Sequence, residues 1–82
     1  MSSFRDTGTR FEWTEQGETC FADYRLNAPV LHVDFVFSPP ALRGTGAAGR
    51  LMGEIFALAQ QRGWSINPVC GYAAAWLRRN GK

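Results

Sequence analysis

The 82-residue chain has two cysteines and one histidine. Cys20 and Cys70 stand far apart and form no ligand pair with His32, so no metal site is expected. A disulfide between them would need an oxidising compartment that nothing else in the sequence suggests. Charge of one sign is scarce too. Nine Lys+Arg against seven Asp+Glu leave a formal +2, too small a bias for a nucleic-acid or membrane surface built on bulk electrostatics. Neither partner is expected. No stretch approaches the roughly 20 apolar residues that span a bilayer, and "MSSFRDTGTRF" lacks a signal peptide's apolar run. The expectation is a soluble cytoplasmic protein. Internal repeats and low-complexity segments are absent.

Apolar material is plentiful: 45% of residues are hydrophobic, with six Phe, three Trp and two Tyr. That suffices for one small core, in a domain of a size that buries about two-thirds of its unfolded surface. Residues 1–9 read as a flexible N-terminal lead-in and 10–82 as a single domain. In "RFEWTE" Phe11 and Trp13 alternate with polar residues, and "QGE" turns the chain into "TCFADYRL". There Cys20, Ala22, Tyr24 and Leu26 share a face, with Phe21 as the exception on the other. "NAP" turns again into "VLHVDFVF", where strict alternation sets Leu31, Val33, Phe35 and Phe37 on one face and His32 and Asp34 on the other.

"SPPALRGTG" is too rich in Pro and Gly to continue a sheet. From Ala47 to about Arg62, Ala48, Leu51, Met52, Ile55, Leu58 and Ala59 recur at helical spacing, and Gly63 occupies the C-terminal cap position. "WSIN", stopped by Pro68, makes a strand parallel to "VLHVDFVF" through a right-handed crossover. "GYAAAWLRR" closes the chain as a second helix. The fold class is α+β: a mixed sheet made of a three-stranded antiparallel meander, a helix, a parallel strand and a C-terminal helix.

Gly44, Gly46 and Gly49 spell Gly-x-Gly-x-x-Gly. A dinucleotide-binding turn follows a strand directly and needs an acidic residue about 20 positions on. Here a proline-rich loop intervenes, and no Asp or Glu follows Glu54. The Gly-Lys-Ser/Thr ending of a P-loop is missing as well. What remains is a glycine-rich helix start whose backbone N–H groups and dipole form an anion seat. Gly44, Thr45, Gly46, Ala47 and Ala48 supply amides there, and Arg43 and Arg50 charge at the rim. The alternative is a tight helix start that binds nothing.

"LRGTGAAGRLM", with Arg43-x-x-Gly46-x-Ala48 between strand and helix, resembles the acetyl-CoA motif of the GNAT N-acetyltransferases. "PALRGTGAA" and "PVCGY" resemble a minimal single-domain branch of that superfamily, from about Phe11 to the end. The resemblance implies acetyl-CoA as cofactor and an amine acceptor. Its pyrophosphate would lie on residues 43–48, its pantetheine between "VLHVDFVF" and "WSIN", and its thioester near Phe35, Val36 and Phe37. Relatives carry His-Thr before the loop, where this chain has Phe35 and Val36. The resemblance also sets Cys70 and Tyr72 near the thiol end. Cys70 is then either a nucleophile that takes the acetyl group or a packing side chain, and Tyr72 a proton donor or a packing residue. Asp34, Glu54 and His32 are the titratable groups near in sequence, and none has a spacing that marks a base. A non-catalytic CoA-binding or interaction module is the alternative function. Arg78, Arg79 and Lys82 form a basic tail that either meets the 3'-phosphate of CoA or an acidic partner or, as terminal charges usually do, is simply solvated. A half-covered sheet fits a monomer or a weak homodimer.

Overall fold

The computed structural model describes residues 2–81. Its elements run β1 (Ser3–Asp6), β2 (Arg10–Glu15), β3 (Glu18–Asn27), β4 (Val30–Phe37), a short 3-10 turn (Pro40–Leu42), α1 (Ala47–Arg62), β5 (Ser65–Pro68) and α2 (Gly71–Asn80). The five strands lie in sequence order in one sheet, antiparallel up to β4, with β5 parallel to β4. The expected α+β arrangement is borne out, with one strand more than the sequence pattern indicates.

That extra strand corrects the reading of a flexible lead-in at Ser3–Asp6, and Met1 lies outside the described residues. Ser3–Asp6 pairs with β2 in the register Phe4↔Trp13, and the Phe4 ring stacks on Phe11 at 5.6 Å. Four residues with one large apolar side chain carry little period-2 signal. The edge of β2 and the ring face of Phe11 that β1 covers supply the template that the sequence pattern does not reveal.

Local chemistry explains the turns and caps. The β2–β3 hairpin closes through Gln16 and Gly17, both at positive φ (52° and 74°), which suits the right-handed twist of the flanking strands. Helix α1 ends at Gly63, whose φ of 73° lets its N–H reach Gln60 and that of Trp64 reach Ala59, satisfying carbonyls of the last turn.

Strict alternation fails in β4. Tyr24 faces Val33 and Asp23 faces Phe35, so Asp34 has no residue opposite it, and the bulge reverses which side chains point inward. Leu31 and Val33 are fully buried, and Val36 packs against the same core. Phe35 and Phe37 face away with Phe21, whose ring lies 6.2 and 5.1 Å from theirs. The expectation that Leu31, Val33, Phe35 and Phe37 share a face is therefore corrected. On β3, Cys20 and Ala22 are buried as expected, Tyr24 is half-buried against Phe11 and Leu26 is exposed.

Leu51, Met52, Ile55 and Ala59 of α1 complete the core over Phe11, Cys20, Ala22, Leu31 and Val33. Helix α2 adds Ala73 and packs along α1, where Gly49 and Gly53 leave room for Trp76. Both helices thus cover one face of the sheet.

Candidate functional site

Between β4, the loop after it, the start of α1 and α2 lies a cleft of about 430 Å³. Val36, Ser38, Leu42, Arg43, Gly44, Gly46, Ala47, Ala48 and Tyr72 line it. Six of the residues singled out in the glycine loop and strand therefore meet in one concavity, joined by Tyr72 from α2. A second cleft, bounded by Phe56, Trp64 and Leu77, contains no charged side chain and none of the loop amides.

The loop is shaped by its own hydrogen bonds. Leu42 is buried and anchors it; the Thr45 hydroxyl donates to the Leu42 carbonyl at 2.6 Å and accepts the Ala47 N–H at 3.3 Å. The Thr45 N–H also goes to Leu42, at 3.2 Å. These bonds consume two of the five amides expected to serve an anion. Among the described residues, the N–H groups of Gly44, Gly46, Ala48 and Gly49 have no protein partner, and the last two belong to the orphan donors of a helix's first turn. Gly49 is a donor that the sequence reading did not include. Gly44 and Gly46 have φ of 78° and 86°, and a Cβ at Gly44 would meet nothing within 4 Å, so the space beside it is open. Free amides, a helix dipole and an open concavity fit a phosphate-bearing group.

Two arginines flank this seat in different ways. Arg43 donates Nε–H to the Ser38 carbonyl at 2.8 Å, with its guanidinium 5.8 Å from the Phe37 ring centroid, which leaves its terminal nitrogens available to an anion. Arg50 is engaged: Nε and Nη2 donate to the two oxygens of Glu15 at 2.8 and 2.7 Å, and Nη2 also reaches the Thr45 carbonyl at 3.1 Å. Trp13 Nε1 donates to the same carboxylate at 2.6 Å. Arg50 thus ties the loop to β2 rather than standing free at the rim. Glu15 and Trp13 were not legible as site residues, because the pairing spans 35 positions and only the sheet brings the ends together.

Hydrogen bonds from Arg50 and then Trp13 hold the Glu15 carboxyl at about 2 instead of 4.5. A depressed acid contributes stability above its unfolded value and loses it as pH falls toward the folded one. The difference in melting temperature between the parent and Glu15→Gln is therefore expected to be constant above about pH 5 and to close progressively toward pH 2. Parallel thermal scans across that window check this; a gap that stays open at pH 2 would contradict the assignment.

The parallel pairing of β4 with β5 ends where Val33 meets Pro68, which has no N–H to continue the ladder. The Val33 carbonyl then accepts from both Val69 and Cys70, at 3.0 and 3.1 Å. Residues Phe35–Phe37 keep β3 on one side and, among the described residues, have no strand on the other. Cys70 caps α2 beside this gap, half-buried and packed against the core; Cys20, fully buried, lies 3.5 Å from the Ser38 hydroxyl, and both thiols are free. Tyr72 is partly exposed at the cleft wall, its hydroxyl near Gly49. Burial pushes its phenol above the ordinary 10.0, against an opposing pull from Arg79.

The three groups with no marked spacing lie elsewhere. Asp34 is clamped by Arg25 at 2.8 and 2.9 Å, which holds its carboxyl low. His32 Nδ1 pairs with Asn67 at 2.9 Å, and Glu54 is exposed on α1. None lines the cleft. Among the described residues no group of three metal-binding side chains occurs, and no helix is long and apolar enough to cross a membrane.

No match is found among curated proteins. The family model for GCN5-related N-acetyl-transferase matches residues 10–82, from the first residue of β2 through the gap and α2. With that match over nearly its whole length and the mixed sheet split beside a glycine-rich helix start, the chain belongs to the GCN5-related N-acetyltransferase family.

Proposed function

We propose that the protein transfers an acetyl group from acetyl-CoA to an amine. The observation that carries this reading is the set of free amides at Gly44, Gly46 and Ala48, residues that line the same cleft as Val36 in the stretch of β4 beyond its pairing with β5. The amides and Arg43 would hold the pyrophosphate, with Thr45 and Ala47 shaping the loop. The backbone of Phe35, Val36 and Phe37 would align the pantetheine arm and thioester. Acetyl-CoA supplies the activated acyl group.

Such a transfer needs a neutral amine, a donor for the developing oxyanion and a proton for the departing thiolate. Tyr72 suits the last task as a phenol, protonated at neutral pH, on the cleft wall. Cys70 flanks the gap either as an acceptor of the acetyl group or as a packing wall. A non-catalytic CoA-binding module is the second reading, favoured by one observation: no carboxylate or imidazole lines the cleft to serve as a base.

A thermal scan with acetyl-CoA, CoA and NADH comes first. At a hundred times the dissociation constant a ligand adds about 2.7 kcal/mol. For a domain of this size that is a rise of roughly 10–20 °C. The expected result is a rise with acetyl-CoA and CoA and none with NADH. Thiol release with an amine panel then separates transferase from module. Tyr72→Phe is expected to lower kcat by about 100-fold while keeping the thermal response. Intact-mass detection of one acetyl group on the protein, lost in Cys70→Ala, would establish the covalent route; unchanged turnover in Cys70→Ala would eliminate it.

A further inference from the structure

Because both helices lie on one side, the other face of the sheet is bare. Register places Arg10, Asp23 and Phe35 in one row across it, and Glu12, Phe21 and Phe37 in the next. Each of the three carboxylates on this face has an arginine partner: Asp23 is hydrogen-bonded to Arg10 at 2.7 Å, Asp34 to both nitrogens of the Arg25 fork, and Glu12 lies 3.9 Å from the exposed Arg5. Among the described residues the face therefore keeps no free negative charge for a polycation. The Arg10 guanidinium also lies over the Phe21 ring, 3.8 Å from its centroid, and the surface left beyond it is apolar. Phe35 is 50% exposed with Phe21 and Phe37 beside it, and Val69 is 56% exposed.

Phe35 and Val69 stand where the gap opens. The Val69 N–H is bound to Val33, the last β4 residue paired with β5, and Phe35 lies two positions further along β4. Neighbours in a strand face opposite ways, and the shift at Asp34 decides which goes where: Val36 lines the cleft on the helix side while Phe35 lies on the bare face. A group bound in the cleft is thus approachable through the gap from the aromatic side, which no helix covers.

We infer that the acceptor is a small primary amine carrying an aromatic ring or short alkyl chain, seated on the exposed Phe35 and Val69. This rests on the acetyl-transfer reading. The amine nitrogen attacks the thioester carbonyl, the C–N bond forms, the C–S bond breaks, and the ammonium proton ends on the CoA thiolate. Amide and free thiol are the products, with no oxidant or reductant required. Aromatic contact selects such an amine, and paired carboxylates leave spermidine or a lysine-rich tail without a counter-charge.

The test follows thiol release by the full chain at saturating acetyl-CoA, with phenethylamine, hexylamine, spermidine and a lysine-rich peptide. The expected kcat/KM for phenethylamine exceeds that for spermidine by about tenfold or more. Phe35→Ser, or the exposed Val69→Ser should the first fail to fold, is expected to reduce that ratio about tenfold; a ratio cancels any effect on the cofactor. Independently of turnover, N-acetylphenethylamine is expected to shift the amide NMR signals of Phe35 and Val69. Preference for spermidine or the peptide, or an unchanged ratio in both variants, overturns this inference and leaves the transferase reading standing. No acetyl-CoA response in the thermal scan, or no thiol release with any amine, overturns the transferase reading and this inference with it.

Discussion

Gly46→Val is expected to remove the thermal response to acetyl-CoA and to cost about 1–3 kcal/mol of stability in the free protein. Gly46 is the N-cap of α1 at φ 86°, a conformation in which a β-branched residue is strained, and a Cβ there would stand 3.1 Å from Nη1 of Arg50. The guanidinium is poorly placed to yield, because Glu15 and the Thr45 carbonyl hold it. The new side chain would also shield the Gly46 N–H and its neighbours from an anion. Gly8→Val separates strain from site: Gly8 has φ 98° in the β1–β2 turn, and a Cβ there meets nothing within 4 Å. That variant is expected to lose similar stability while keeping the full response. Calorimetric titration of both variants with acetyl-CoA decides the matter, and a Gly46→Val protein that binds like the parent would count against the amide seat.

Phe11→Ala is expected to be the most destabilising single substitution of a sheet residue. Phe11 is fully buried, and its ring stacks between Phe4 at 5.6 Å and Tyr24 at 4.1 Å. Its removal leaves a cavity under α1 and frees the ring that docks β1, at a cost of about 3–5 kcal/mol. A domain of this size has only about 4–12 kcal/mol in total, so a fall in melting temperature of roughly 12 °C or more is expected. Denaturant unfolding followed by tryptophan fluorescence gives the number directly. A loss under about 1 kcal/mol would mean that β1 and the Phe4–Phe11–Tyr24 stack contribute little.

The Glu15–Arg50 clamp links these two sites. Arg50 lies one helical turn beyond Gly46, and Glu15 ends the strand that carries Phe11. The anion seat is thus fastened to the sheet through a charged fork, which protonation of Glu15 near pH 2 would release. Sensitivity of the cleft to low pH follows from that geometry.

Local rules were enough for the elements whose signals are contained within a few residues. The α1 helix, with its periodic Leu51, Met52 and Ile55 and its terminal Gly63, is legible because capping and amphipathicity act over one to four turns. The parallel strand β5 and the gap after it follow from strand-helix-strand order and from Pro68. The cleft's loop residues Arg43, Gly44, Gly46, Ala47 and Ala48 were legible because their string is contiguous and its resemblance specific.

Tertiary structure decided the rest. Strand β1 exists because β2 offers an open edge and Phe11 a stacking surface, neither of which appears in the four residues themselves. The bulge at Asp34 arises from registering β4 on β3, and a single unpaired residue sends Phe35 to the bare face and Val36 to the cleft. Which loop amides stay free depends on where the buried Leu42 places its carbonyl, and Arg50 is engaged only because folding brings Glu15 to it. Sequence determines what is encoded in neighbours along the chain; pairings between distant residues are set by packing, where one residue of register changes every side chain that follows.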